Sequence, residues 1–474
     1  MLFHAPKLPR PPLERVERAL IDLDRALGTS KLLVEEQARL PYASDDSLSE
    51  PCLPDAVVLA SSREDIAAAL RIADAHDVPI TPRAGGSGRT GGAVPVAGGI
   101  VLATAALDRV VDVDRRDLLA VVQPGVVTGK LHELVEREGL FYPPDPNSAD
   151  MCMIGGNVAE NAGGPRAFKY GTTREYVLGL EACFVGGRTL RVGRRTVKGV
   201  TGYDVTALLV GSEGTLGVFT EITLRLLPKP SRVATLLALY DDVHAAGASV
   251  ARLIEAGLVP RCLEMLDSAT LDAVRAAGNA VDPRAGAMLL LEVDGEDAEA
   301  QLERLGGALA AAKGLVDLVA AQDSAQRARL WQARKSLSYA TRKLAKYKIS
   351  EDVVVPRSRI PELLAYVDAI GESERVRHLT YGHAGDGNLH VNFLWNDEAE
   401  EPAVARAVER LMRATVDLGG TLSGEHGIGL AKAPYLGFEQ SDELITLQKD
   451  IKRVFDPKGL LNPGKIFPVA HRAC

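Results

Sequence analysis

Residues 154–165 read Ile-Gly-Gly-Asn-Val-Ala-Glu-Asn-Ala-Gly-Gly-Pro, so that Asn157 and Asn161 stand between two glycine pairs. Glycine lets the backbone come close to a bound group, and asparagine offers both hydrogen-bond donors and an acceptor. The stretch is therefore suited to binding a polar, extended ligand. Each glycine pair read alone is also compatible with a simple tight turn.

Two further glycine clusters lie on either side of this one. Residues 83–92 read Arg-Ala-Gly-Gly-Ser-Gly-Arg-Thr-Gly-Gly, and residues 210–218 read Val-Gly-Ser-Glu-Gly-Thr-Leu-Gly-Val. The first contains a formal Gly-x-Gly-x-x-Gly, but Pro95 and more glycines follow where a Rossmann fingerprint requires a helix. Its backbone N–H groups can still cradle a phosphate, with a mobile surface loop as the alternative. Three such clusters suit one long ligand better than three small ones.

Strand-like and helix-like runs alternate along the chain. A capping box at Ser62 and Asp65 predicts a helix that reaches about Asp77. The pair Pro228 and Pro230 predicts a boundary, because paired prolines cannot continue a strand ladder. Strands are predicted at residues 55–60, 78–82, 100–103, 118–123, 178–185, 218–226, 234–240, 288–293, 352–355 and 389–394. Further helices are predicted at residues 128–138, 243–256 and 297–312, with a long polar helix at 325–346 and a last one at 442–455. The pattern indicates an α+β protein.

Composition limits the kind of protein. A chain of 474 residues is too long for one hydrophobic core, so two or three domains are expected. The net charge of −8 argues against nucleic acid as the main partner. No apolar run is long enough for a membrane span, and no secretory signal is visible. The five cysteines form no Cys-x-x-Cys pair, so neither a disulfide framework nor an internal iron–sulfur cluster is indicated, and a reducing cytoplasm is expected.

A histidine cluster lies in the last quarter of the chain. Residues 381–392 read Tyr-Gly-His-Ala-Gly-Asp-Gly-Asn-Leu-His-Val-Asn, which predicts His383 on a glycine turn and His390 on a strand. Residues 424–427 add Gly-Glu-His-Gly. Two imidazoles and a carboxylate are good ligands for Zn²⁺ or Mn²⁺. From the spacing alone, ordinary core or surface histidines are an equally good interpretation.

The glycine clusters resemble the FAD-binding domain of the p-cresol methylhydroxylase (PCMH)/vanillyl-alcohol oxidase flavoproteins. Within that superfamily the chain, from about Tyr42 to Pro468, is similar to the FAD-linked 2-hydroxy acid dehydrogenases and the FAD subunit of glycolate oxidase. The resemblance implies a PCMH-type FAD-binding domain of two α+β subdomains over residues 1–230. It further implies a ferredoxin-like α+β substrate domain with a metal site over residues 231–425, and a C-terminal segment, 426–474, that returns to the FAD domain.

The resemblance assigns the glycine clusters to FAD. Residues 83–92 would hold the pyrophosphate, the second cluster would line the cofactor, and residues 211–218 would contact the adenine side. The residues implied to bind FAD are Arg83, Ala84, Gly85, Gly86, Ser87, Gly88, Gly91, Gly92, Pro144, Gly155, Gly156, Asn157, Asn161, Gly164, Glu213, Gly214, Gly217, Val218 and Asn462. Relatives with covalently attached flavin carry a histidine in the first loop. None lies between His76 and His132, so non-covalent FAD is implied.

The same resemblance assigns the reacting residues. It implies a divalent metal, zinc or manganese, on His383, His390 and Glu425, with His426 as the catalytic base. The residues implied to bind substrate are Arg334, Ser338, Lys348 and Asn392. In this chemistry a hydride moves to flavin N5, the metal lowers the pKa of the substrate hydroxyl, and a neutral imidazole accepts its proton. Relatives usually have threonine at position 338, and a solvated, charge-rich helix remains the alternative for the helix around Arg334.

The implied reaction is FAD-dependent oxidation of a small D-2-hydroxy acid to the 2-oxo acid, with D-lactate, glycolate and D-2-hydroxyglutarate as candidates. Electrons would leave to a quinone, a cytochrome, an electron-transfer flavoprotein or an iron–sulfur subunit. A homodimer or a peripheral complex, in the cytoplasm or at the inner face of the membrane, is compatible with the family. The alternatives are a non-redox transferase that resembles alkylglycerone-phosphate synthase and a flavin-binding subunit of a larger redox complex.

Overall fold

A computed structural model describes residues 8–279, 281–335 and 337–468, without the side chains of residues 332, 333, 335, 338 and 339. This part of the chain forms two compact units. The glycine-loop unit comprises residues 8–162, 172–229 and 425–468, and the histidine unit comprises residues 163–171 and 230–424. The units are defined by compactness and not by what they bind, so the three functional domain ranges stay a prediction.

The glycine-loop unit contains two main sheets. In the four-stranded sheet, Ala56–Leu59 and Ile80–Arg83 both pair in parallel with Ile100–Ala103. Its spatial order is Leu32–Leu33, Ala56–Leu59, Ile100–Ala103, Ile80–Arg83. The five-stranded antiparallel sheet has the order Val110–Asp114, Leu119–Val122, Val218–Arg225, Val177–Cys183, Thr189–Gly193. A short ladder joins Leu140–Phe141 to Leu227–Pro228.

The predicted capping box starts the helix Arg63–Ala75 of this unit. The Ser62 side chain accepts from the Asp65 amide while the Asp65 side chain accepts from the Ser62 amide. Ile66 and Leu70 of this helix are fully buried in one core with the four-stranded sheet. The other helices of the unit are Leu13–Leu27, Glu36–Arg39, Thr128–Arg137, Ile154–Glu160, Val205–Leu209, Leu436–Glu439 and Asp442–Phe455.

The histidine unit contains a seven-stranded antiparallel sheet. Its spatial order is Leu315–Ala320, Val233–Tyr240, Ala287–Asp294, Cys262–Leu266, Arg377–His383, Asn388–Trp395, Tyr347–Val354. The first four strands in chain order therefore lie in the spatial order fourth, first, third, second. The helices Val243–Glu255 and Ala298–Ala310 follow the first and third of them, as in the ferredoxin-like arrangement, and the additional helix Ser268–Ala276 follows the second. The predicted α+β class is confirmed.

The prediction of one long helix in this unit is wrong. The expected polar helix at 325–346 consists of two helices, Ser324–Lys335 and Leu337–Arg342, and the chain then enters the strand Tyr347–Val354. The β-branched and aromatic residues of that strand favour a pleated conformation. The remaining helices of the unit are Ala167–Tyr170, Val243–Glu255, Ser268–Ala276, Ala298–Ala310, Ile360–Glu374 and Glu401–Asp417. Within the described residues, no helix is long and apolar enough to cross a membrane.

The segment 163–171 packs within the histidine unit although the chain on both sides of it belongs to the other unit. The Lys169 ammonium pairs with the Asp294 carboxylate, and the Tyr170 hydroxyl donates to the same carboxylate at 2.7 Å. The Arg357 guanidinium lies 4.9 Å from the centre of the Phe168 ring. These contacts fix the segment to the seven-stranded sheet.

Candidate active site

The second and third glycine clusters are joined by backbone hydrogen bonds in the glycine-loop unit. The Gly211 amide donates to the Val158 carbonyl at 2.9 Å, and the Glu213 amide donates to the Ala159 carbonyl at 2.8 Å. Both acceptors lie in the helix Ile154–Glu160, which the second cluster forms. The two clusters therefore make one continuous surface.

Asn462 ties the first cluster to the third. Its Nδ2 donates to the Gly92 carbonyl at 3.0 Å and to the Glu213 carbonyl at 2.8 Å. Its Oδ1 is buried and has no hydrogen bond within the described residues. A buried acceptor without a donor is costly, so a ligand N–H or O–H group would satisfy it. Asn462 thus lies between two of the glycine clusters, and its contact with the flavin stays a prediction.

Close packing explains one of the glycines. Gly91 has φ +82°, which is unfavourable for residues with a Cβ atom, and an added Cβ would lie 2.6 Å from Ser49 Oγ. The Leu430 amide donates to the carbonyl of the neighbouring Thr90 at 2.7 Å. The end of the first cluster is thus held to the chain around Leu430 by close packing and by this hydrogen bond.

Some residues predicted to bind FAD have side chains that hold the scaffold instead. Asn157 Nδ2 donates to Thr128 Oγ1 at 2.6 Å, and Asn161 Oδ1 accepts the Arg174 amide at 2.9 Å. The Arg83 guanidinium donates to a backbone carbonyl, and burial lowers its pKa. Any contact of these residues with a cofactor stays a prediction.

The predicted FAD residues fall in both units. Gly164 lies in the segment 163–171 of the histidine unit. The others lie in the glycine-loop unit: Arg83, Ala84, Gly85, Gly86, Ser87, Gly88, Gly91, Gly92, Pro144, Gly155, Gly156, Asn157, Asn161, Glu213, Gly214, Gly217, Val218 and Asn462.

The predicted base His426 is held to the first glycine cluster. The Thr90 hydroxyl donates to the His426 carbonyl at 3.1 Å. Just beyond, the Glu213 carboxylate accepts the amides of Ile428 at 2.8 Å and Gly429 at 2.6 Å. Burial raises the pKa of Glu213. Nε2 of the His426 ring lies 3.9 Å from Oε1 of Glu425.

The two predicted histidine ligands lie side by side in the histidine unit. His390 is on the strand Asn388–Trp395, as predicted, but His383 is the last residue of the strand Arg377–His383 and not part of a turn. The two strands pair so that Tyr381 is opposite His390. The imidazole ring centres are 5.3 Å apart and the rings are nearly perpendicular. Both side chains are buried.

Glu264 was missed in the sequence, although it contacts two predicted site residues. It is fully buried on the strand Cys262–Leu266. Its carboxylate accepts from His383 Nδ1 at 2.5 Å and from Arg334 Nε at 2.5 Å. Burial alone would raise the pKa of Glu264, but the charges and hydrogen bonds of Arg334 and His383 outweigh it, so the pKa is below its usual value. No local pattern marks this glutamate.

Arg334 is buried, with 2% of its surface exposed, so the solvated-face interpretation of this residue is wrong. Its guanidinium lies 5.3 Å from the centre of the Tyr381 ring. While Nε is bonded to Glu264, Nη2 is buried and has no hydrogen bond within the part of the chain that the structure describes. A carboxylate is the natural partner for this free edge.

The other predicted substrate residues have different surroundings. Asn392 is fully buried; its Nδ2 donates to the His390 carbonyl at 2.8 Å, while its Oδ1 has no hydrogen bond among the described residues. Lys348 Nζ donates to Thr341 Oγ1 at 2.9 Å. Ser338 is on the helix Leu337–Arg342, and its side chain lies outside the described residues.

Asp352 fixes the end of the histidine unit. It is opposite His390 in the strand register. Its carboxylate accepts from the Gly424 amide at 2.9 Å, the Ser423 hydroxyl at 2.8 Å and Asn388 Nδ2 at 2.6 Å. The chain therefore leaves this unit at Gly424, next to the strand that carries His390.

Comparisons with known proteins give the family. The family model described as FAD linked oxidases, C-terminal domain, matches residues 229–466, and the model described as FAD binding domain matches residues 54–193. The chain belongs to the FAD-linked oxidase family. The predictions of a flavoprotein and of an oxidoreductase are confirmed, and this FAD-linked oxidase binds FAD.

The similarity to known proteins covers nearly the whole length of this FAD-linked oxidase. It is 41% identical to glycolate oxidase subunit GlcD of Bacillus subtilis (strain 168), over 90% of this chain and 92% of the relative. It is 32% identical to D-lactate dehydrogenase of Anaerostipes hadrus, over 95% of this chain and 98% of the relative. The solved structure of p-cresol methylhydroxylase with substrate bound superposes with a TM-score of 0.80 at 16% identity, over 98% of this chain and all of that one, which confirms the predicted fold.

Proposed function

We propose that this FAD-linked oxidase oxidises a small D-2-hydroxy acid to the 2-oxo acid, with glycolate, D-lactate and D-2-hydroxyglutarate as the leading candidates. Oxidation of a hydroxy acid is supported by the relatives named glycolate oxidase and D-lactate dehydrogenase. The choice among these acids, and the D configuration, belong to the proposal.

The buried guanidinium of Arg334 carries the proposal. A cation this deeply buried needs anionic partners, and Glu264 occupies only its Nε side. The Nη2 side can receive the carboxylate of a small acid, and a charged hydrogen bond of this kind contributes about 1.5–3 kcal/mol. The amide oxygen of Asn392, which is buried and has no hydrogen-bond donor within the described residues, can accept a hydrogen bond from the substrate hydroxyl. Lys348 and Ser338 are proposed as additional contacts to the substrate carboxylate.

Chain connectivity supports a role for Glu425 and His426 beside the buried histidines. Gly424 is bonded to Asp352, which is opposite His390. Successive Cα atoms are about 3.8 Å apart, so the Cα atoms of these two residues lie within about 7.6 Å of that of Gly424. We therefore assign Glu425 and His426 to the same proposed site as His390.

The donor set of His383, His390 and Glu425 fits a divalent ion such as Zn²⁺ or Mn²⁺. Glu264 on His383 Nδ1 leaves Nε2 as the ligand atom, the arrangement that protein metal sites use to orient an imidazole. When bound, the ion would supply Lewis acidity to the substrate hydroxyl, and FAD would accept the hydride.

His426 is the proposed base, and its imidazole takes the hydroxyl proton. A neutral imidazole has an ordinary pKa of about 6.5, which suits proton acceptance near neutral pH. Non-covalent attachment of FAD is part of the proposal, because no histidine stands in the first glycine cluster. The electron acceptor is proposed to be external, a quinone, cytochrome, electron-transfer flavoprotein or iron–sulfur subunit.

The test is an anaerobic titration of the yellow protein with D- and L-2-hydroxy acids, followed by flavin absorbance. We expect bleaching by one or more small D-acids. In His426→Ala, FAD should stay bound while bleaching is lost. Protein that stays colourless with added FAD, or is bleached by none of the acids, would overturn the proposal; bleaching of His426→Ala would overturn the assignment of the base.

The transferase alternative is less well supported, since the relatives above 30% identity carry oxidoreductase names. A flavin-binding subunit without activity of its own would fail to reduce an artificial electron acceptor in isolation. Turnover of the purified chain with such an acceptor therefore distinguishes an active oxidoreductase from a subunit that only binds flavin.

A further inference from the structure

Glu264 joins two residues that are far apart in sequence and have different proposed tasks. It lies opposite His383 in the register of the neighbouring strands. One carboxylate oxygen contacts His383 Nδ1, and the other contacts Arg334 Nε from the helix Ser324–Lys335. The three side chains are each 2% exposed or less, so no bulk water competes for these hydrogen bonds.

We propose that Glu264 is a positioning residue that sets the ligand histidine and the substrate-binding arginine in one fixed arrangement. The inference rests on the proposed function and deepens it. With Nδ1 bonded to a carboxylate, the His383 ring presents Nε2 to the metal, and its rotation about the Cβ–Cγ bond is prevented.

The same carboxylate fixes the plane of the guanidinium. Arg334 Nε is held by Glu264, and the Tyr381 ring lies against the guanidinium at 5.3 Å. The terminal nitrogens can therefore face only one direction, which favours a two-point contact with a planar carboxylate. A single acid thus orients both the guanidinium that would bind the substrate carboxylate and the imidazole that would hold the metal.

This arrangement predicts that one substitution weakens two separable properties. Glu264→Gln keeps the size but removes the charge, and its amide cannot accept from both partners. We expect the affinity of the FAD-loaded protein for Mn²⁺, measured without substrate, to fall about 10- to 100-fold. We also expect KM for the substrate acid to rise at least tenfold.

Glu292→Gln is the matched control. Glu292 is also a buried acid on a strand of the same sheet, and it accepts from Thr235 Oγ1 and Trp331 Nε1 at 2.9 and 2.5 Å. Trp331 is on the same helix as Arg334, so a general loosening of this helix would affect both variants. We expect Glu292→Gln to change Mn²⁺ affinity and KM by less than about threefold, even where it lowers the melting temperature.

The outcomes separate this inference from the proposed function. If the wild-type protein is bleached by an acid and binds Mn²⁺, but Glu264→Gln changes neither affinity nor KM, the positioning role is wrong. Equal losses in Glu292→Gln would also overturn it. If the wild-type protein neither binds Mn²⁺ nor is bleached, the proposed function itself fails. Should Glu264→Gln not fold, Glu264→Asp, one methylene shorter, is expected to lose both properties, and unchanged values in it overturn the inference.

Discussion

The Thr90 hydroxyl donates a hydrogen bond to the backbone carbonyl of His426 at 3.1 Å. Thr90 belongs to the first glycine cluster and is buried, with 2% of its surface exposed. The loop predicted to hold the FAD pyrophosphate is therefore bonded directly to the proposed base. The two residues are 336 positions apart in sequence, so no local motif could have shown this link.

Thr90→Val should separate cofactor binding from catalysis. Valine keeps the shape of threonine but cannot donate to His426, and losing a partner for a buried polar group costs about 1–3 kcal/mol. We expect kcat to fall roughly tenfold while the FAD content stays unchanged. Thr415→Val, which removes a buried hydroxyl that donates to the Leu411 carbonyl of its own helix, is the control. Unchanged kcat in Thr90→Val would show that this bond does not position the base.

Arg334→Lys tests the carboxylate-binding role. Lysine keeps the positive charge but loses the planar fork, so a two-point contact becomes impossible. We expect KM to rise about 10- to 100-fold with a smaller change in kcat, measured by steady-state kinetics. Arg327→Lys, on the same helix, should leave both parameters near those of the wild type. If kcat falls by a larger factor than KM rises, Arg334 acts on the reacting groups and not mainly on substrate binding.

Removal of divalent ions tests the metal proposal. After treatment with a chelator, we expect kcat to fall at least tenfold while the flavin absorbance stays, because the proposed ligands His383 and His390 are separate from the glycine clusters in sequence. Added Zn²⁺ or Mn²⁺ should restore activity in the wild type but not in His390→Gln. Full activity in protein shown to be free of metal would contradict the assignment.

Asp267 gives a prediction for pH dependence. Its carboxylate caps the helix Ser268–Ala276 by accepting the Thr270 amide at 2.8 Å, and it also accepts the Thr380 amide. Burial raises the pKa of Asp267 to about 6. The folded protein thus holds this proton more tightly than the unfolded chain, in which the pKa of an aspartate is about 3.9. The contribution of this proton to the free energy of unfolding is fully present below pH ~4 and is lost as the pH rises through about 6.

Asp267→Asn removes this titration. The side-chain amide of the variant has a single oxygen, so its NH₂ group would lie against one of the two backbone N–H groups that the carboxylate accepts. We therefore expect a lower free energy of unfolding at every pH, by about 1–3 kcal/mol. The difference in melting temperature between wild type and variant should shrink between pH 4 and pH 6. A difference that stays constant over this range would mean that Asp267 titrates normally in the folded protein.

Elements with local signals could be predicted from the sequence. The capping box at Ser62 and the final helix Asp442–Phe455 agree with the structure, because side-chain caps and helical periodicity act within a few residues. The break in the predicted helix at 325–346 was missed. The order of polar and apolar residues there did not reveal that Tyr347–Val354 pairs with Asn388–Trp395.

The candidate site was predicted in part. Its histidines form a visible cluster in the sequence and Arg334 came from the family resemblance, but the environment of each depends on strand pairing. His383 was expected in a turn, yet it continues its strand because it is opposite both Asn388 and Glu264. Glu264 itself stands in a fully buried strand, Cys262–Leu266, whose neighbours come from later in the chain. Only the register of the sheet gives this acid its partners.

The segment 163–171 has a consequence for how such a protein can change by recombination. The chain passes between the two units after residues 162, 171, 229 and 424, so no single stretch of the gene encodes either unit. A transplanted fragment of residues 230–424 would lack Lys169 and Tyr170 and would leave the buried Asp294 with Arg261 as its remaining described partner. Exchange of the histidine unit between homologous genes would therefore keep these contacts only if the nine residues 163–171 were exchanged with it.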